Sequence, residues 1–141
     1  MNVVEEAVRL ICGTDSQVAA AVAKRFAHRA GARPIIALET ATVAAELASN
    51  VLRHGGGGAL VCRSFSTFLE IVATNARDCD EAALRACIEA AKRDPFAAPR
   101  GLGTIVRMAD EIELEVLPPQ RIVIRTRKHL SPPAKGRLRT G

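Results

Sequence analysis

In Ala45-Glu46-Leu47-Ala48-Ser49-Asn50-Val51-Leu52-Arg53-His54 a carboxylate and a carboxamide stand four residues apart, and four glycines at 55–58 follow at once. The segment reads as helix, and residues at that spacing stack on one helical face. A carboxylate can orient or deprotonate a nucleophile, and an Asn oxygen is a hard ligand suited to Mg²⁺. The glycines let backbone approach a ligand closely. Downstream stand Asp78, after an apolar run, and Arg100-Gly101-Leu102-Gly103-Thr104, which opens another helix. A backbone nest there would favour an anion. Each feature also has an ordinary reading: a solvated helix face for Glu46 and Asn50, a common turn for Gly-x-Gly.

The elements that would position these groups follow from periodicity. Residues 5–12 read as a strand, and Thr14 or Asp15 can accept a backbone N–H at the start of the helix that follows. Val18, Ala19, Val22, Ala23 and Phe26 recur at helical spacing, and Gly31 ends that helix. The second helix covers about 35–54. Opposite its apolar stripe, Glu39, Thr42, Glu46, Asn50 and His54 form a polar one, with no Lys or Arg until Arg53 beside it. Residues 59–65 and 67–76 form a predicted antiparallel hairpin. Residues 80–93 are helical, Asp94-Pro95 stops them, and 94–100 is either a lid or an inert loop. A short helix covers 101–109. Two alternating strands, 111–117 and 121–125, turn at Pro118-Pro119, with Glu113 and Glu115 able to pair with Arg121 and Arg125. The order β-α-α-β-β-α-α-β-β predicts an α+β fold, a two-layer sandwich of a mixed, mostly antiparallel sheet with helices on one face.

These features in this order resemble the GHKL (Bergerat-fold) ATPase superfamily, in the branch of bacterial anti-sigma factors and switch-protein serine/threonine kinases. The resemblance covers roughly residues 4–130. It implies that Glu46 is the catalytic base and that Asn50 is the magnesium ligand. Asp78 would read the adenine amino group from a strand end. Gly101, Gly103 and Thr104 would cover the phosphates. The implied cofactors are ATP and Mg²⁺. The implied partner is a small regulatory domain or a sigma factor, phosphorylated or sequestered, and a homodimer is a further expectation. The family's first glycine box reads Asp-x-Gly-x-Gly, whereas this chain reads Asp78-Cys79-Asp80-Glu81-Ala82. Side chains at both glycine positions support the alternative of a non-catalytic partner-switching module whose nucleotide site has decayed.

Composition narrows the classes. Residues 1–130 suffice for one domain with a core, and 48% hydrophobic content supports it. Aromatics are 3% with no Trp or Tyr, so the core must be aliphatic and a base-stacking platform for nucleic acid is nearly absent. The formal charge of +5 is uneven: residues 1–120 hold 13 Lys and Arg against all 15 acids, and 121–141 hold seven and no acid. Cys12, Cys62, Cys79 and Cys87 form no Cys-x-x-Cys pair, which reads as small buried hydrophobes in a reducing cytoplasm. No apolar run approaches the ~20 residues that span a bilayer, so a cytoplasmic location is expected. The basic segment 131–141 lacks apolar periodicity and reads as disordered. Its deletion should leave the melting temperature within a few degrees, and a larger loss would mean that it docks.

Overall fold

The structure is a computed structural model that describes residues 3–54, 56–75, 80–98, 101–118 and 121–130. In chain order the elements are β1 (Val4–Leu10), α1 (Asp15–Arg29), α2 (Pro34–His54), β2 (Gly58–Ser64), β3 (Phe68–Asn75), α3 (Glu81–Arg93), α4 (Leu102–Met108), β4 (Glu111–Leu117) and β5 (Arg121–His129). The expected order and α+β class hold. The sheet is antiparallel throughout rather than mixed, in the order β1-β2-β3-β5-β4.

Alternation decides which face the helices cover. Val8 and Leu10, Leu60 and Cys62, Leu69, Ile71 and Ala73, and Ile112 and Ile124 all join one buried cluster with α1 and α2. With so few aromatics, the helices close down through alanines. Ala19, Ala23 and Ala27 of α1 and Ala37, Ala44 and Ala48 of α2 are fully buried, at spacings that form stripes. By length and composition α2 could cross a membrane, mean hydropathy 1.4, where the sequence reading found no such run. Half of that stretch is buried, as expected of a core helix. The Cys62 thiol is pushed up to about 12, first by burial and then by the charge of Glu6. Cys12 departs from the expectation of buried thiols, being exposed.

Acids stand at the starts of α1 and α3 but act differently. The Asp15 carboxylate does not cap forward into α1 but reaches back, accepting from Ile11 N at 2.8 Å and Cys12 N at 3.0 Å. Those N–H groups would otherwise be unpaired where the strand ends. The N–H of Cys12, then that of Ile11, holds the Asp15 carboxyl below its usual range. The contact therefore stabilises above the ordinary carboxylate pKa and is lost as pH falls through the depressed value. Asp80 caps α3 conventionally, its Oδ1 accepting from Ala83 N at 3.1 Å.

The face away from the helices carries a row of charges in direct register: Glu5 opposite Arg63, Arg63 opposite Glu70, Glu70 opposite Arg127, and Arg127 opposite Glu111. Sign alternates across all five strands. Glu70, at the centre, is buried at 4% exposure and lies 3.3 Å from Arg63, 3.5 Å from Arg125 and 3.3 Å from Arg127. Arg125 reaches Glu115 at 3.2 Å, so one of the two pairings foreseen between the last strands forms, while Arg121 lies opposite Leu117. Phe65 and Phe68 stack at 4.6 Å at the mouth of the β2–β3 hairpin, and Arg127 covers the Phe68 ring at 5.3 Å. Glu70→Gln keeps the shape but leaves three guanidinium groups facing each other. Removing one partner of a fully buried pair costs ~3–5 kcal/mol, and the arginines here reach solvent, so a loss of about 2 kcal/mol is expected in urea denaturation.

Candidate functional site

Helix α2 carries the proposed chemistry because its other faces are committed to packing. Leu47, Ala48 and Val51 are buried, leaving Glu46 and Asn50 half-buried along the open side. Two residues distant in sequence meet there. Gly101 begins α4 with φ +78°, in the left-handed region, and a Cβ added to it would overlap Glu46 Oε2. The Glu46 carboxylate is thus seated on the Gly-x-Gly turn, and α4 packs along α2. Gly103 serves a second close approach, because a Cβ there would overlap the carbonyl oxygen of Pro95. The segment 94–98 is held down on α4, where Arg107 stacks over Phe96 at 4.8 Å and donates to Thr104 Oγ1 at 3.3 Å.

Lys128 fixes the other end of this corner. On the helix-covered side of β5, it donates to the Met108 carbonyl at 2.5 Å and pairs with Glu39 of α2 at 2.8 Å. A cation on the last carbonyls of α4 also suits the helix dipole. Strand, α2 and α4 are thereby joined through one ammonium group.

Asn50 has a neighbour that the sequence reading set beside the stripe rather than on it. Arg53 donates to Asn50 Oδ1 at 2.6 Å. The spacing of three was the available signal. A divalent cation at that oxygen would have to displace a guanidinium group. Among the described residues no group of three or more His, Cys, Asp and Glu is placed to hold a metal. The glycine-box positions also differ in form from a flexible loop, since Asp80 caps α3 and Ala82 lies within its first turn. Asp78 and Cys79 lie outside the described residues, as do Pro99, Arg100 and the 131–141 segment, and the side chain of His54 is likewise not described. Strand β3 ends at Asn75, which is buried at 8% and faces the helices beside the glycine turn, opposite Gly58. Asn75 is thus a buried strand-end carboxamide that the motif pattern did not single out. The alternation of Leu69, Ile71 and Ala73 on the helix side extends to Asn75 and would have indicated it.

In fold, the chain is similar to a chain in the crystal structure of the SiaB–SiaC complex from Pseudomonas aeruginosa, with TM-score 0.64 and 18% identity over 89% of each chain. What the two share is the fold. No protein-family model matches this chain. No curated protein is similar to it in sequence.

The seating of Glu46 on Gly101 is open to a coupling test. Gly101→Ala forces a side chain into a left-handed position, for ~1–2 kcal/mol, and adds an overlap with the carboxylate. Adding Glu46→Ala should recover the overlap and leave the backbone cost. Chemical denaturation of both single variants and the double variant should give clearly non-additive losses, and strict additivity would contradict this packing.

Proposed function

We propose that this chain is a regulatory protein that binds a small partner domain, and that the corner of α2 and α4 is a magnesium–ATP site governing the encounter. The supporting observation is the meeting of Glu46 with Gly101, which draws the two halves of the motif pattern into one place. The fold's likeness to a chain from a two-protein complex supports the partner role. In this reading Asn50 offers a hard oxygen to the metal in place of its contact with Arg53, and the Gly101–Gly103 turn would present backbone N–H groups to phosphates. Magnesium would offset polyphosphate charge. Glu46 would orient and accept the proton of a partner hydroxyl if phosphate is transferred.

A second reading is a binding module without nucleotide. It is favoured by the Arg53 contact on Asn50 and by the helical start that occupies the glycine-box positions.

Calorimetry with ATP, with and without magnesium, separates the two. Under the first reading the parent binds in a magnesium-dependent way and Asn50→Ala loses that dependence. Glu46→Gln still binds, with phosphate transfer to a candidate partner slowed roughly 10²–10⁴-fold. A parent that takes no nucleotide but holds its partner leaves the binding module. A parent that does neither sinks the proposal.

A further inference from the structure

We infer that the cleft between α3 and the edge strand β4 receives an extended segment of a partner protein as a sixth strand, one that alternates apolar and basic side chains. Among the described residues strand β4 lies at the end of the sheet and pairs with β5 alone. Helix α3 packs on α4. Two cavities of about 420 and 250 Å³ lie between α3 and β4 and share Lys92, Ile112 and Glu113 as walls. Ile88 of α3, Val106 of α4 and Leu114 of β4 add apolar lining. Arg85, Glu89 and Lys92 of α3 also line the cleft, with Arg85 paired to Glu81 and Lys92 to Glu89. An exposed strand edge beside a cleft of mixed apolar and charged lining is a geometry open to strand addition: main-chain bonds supply affinity and alternate side chains supply choice.

Register specifies the charge of the incoming strand. On the open face three of the four cross-sheet rows end at β4 on a glutamate, Glu111 beyond Arg127, Glu113 beyond Arg125 and Glu115 beyond Val123, and the fourth ends on Leu117 beyond Arg121. Glu111 and Glu115 have arginine partners within the sheet. Glu113 has no ion pair among the described residues. Opposite charges directly across a ladder stabilise it and like charges destabilise it. A sixth strand should thus carry Lys or Arg at every second position, continuing the alternation that begins at Glu5. Its intervening side chains would meet Ile112, Leu114 and Val116, the last 40% exposed. A second copy of this chain fits badly, since pairing β4 with β4 sets glutamate against glutamate.

The biological meaning of this cleft rests on the proposed partner-binding role, but the cleft can be tested alone. The probe is a fluorescein-labelled nine-residue peptide alternating lysine and valine, titrated by anisotropy against the full chain. The controls are a glutamate–valine alternation and a peptide of the same lysine–valine composition in two blocks. The alternating basic peptide should bind about tenfold tighter than either control, from two or three cross-strand pairs. Glu113→Lys with Glu115→Lys should reverse the preference toward the acidic peptide, and the milder Glu113→Gln should weaken the basic one a few-fold. Three results overturn the inference: equal binding of the block peptide, which is charge attraction alone; unchanged preference in the reversed variant; or no binding, which leaves the glutamates as protection of an edge. A chain that holds its natural partner but fails this test loses the cleft and keeps the regulator. One that binds the probe yet takes neither nucleotide nor partner does the reverse.

Discussion

Close approach of α1 and α2 through alanine governs the rest of the molecule. The two helices pack on each other, and Ala19, Ala23 and Ala27 of one and Ala37, Ala44 and Ala48 of the other are all without solvent exposure. A core whose one aromatic ring among the described residues is Phe26 must be thin, and small residues let helices and sheet close the distance. Once α2 is fixed by this contact, only one of its sides stays open. That side carries Glu39, Glu46 and Asn50. The position of the candidate chemistry is therefore a by-product of packing, and a bulkier residue at Ala44 or Ala48 would shift it as well as strain the core.

The sheet solves the opposite problem. Its helix-covered side is apolar, whereas its other side holds a buried carboxylate. Glu70 is tolerable because register delivers arginines from both neighbouring strands. Such an arrangement ties strand register to charge: a slip by one residue would set Glu70 against apolar groups and strand three guanidinium groups. The alternating row thus specifies pairing as much as it stabilises it.

Much of this was legible in the chain and some was not. Strict alternation marked 111–117, helical periodicity and Asp94-Pro95 marked α3, and the order of elements gave the sandwich. Strand 68–75 is apolar on both faces around Glu70, so its faces could not be told apart before its neighbours were known. The Glu70 cluster draws on three strands, and no local pattern encodes it. Glu46 and Gly101 could be nominated separately, but their contact depends on how α4 lies on α2. Asp15 shows the limit of capping rules, since its carboxylate chose the strand end over the helix start.

Lys128 ties the last strand to α2 and α4, and the Leu130 N–H donates to the Thr67 carbonyl at 3.0 Å, so the end of β5 is held both by the helices and by the β2–β3 turn. Drawing β5 out of the sheet would have to break its ammonium contacts to two helices along with the ladder, so a load on this strand is shared between both layers.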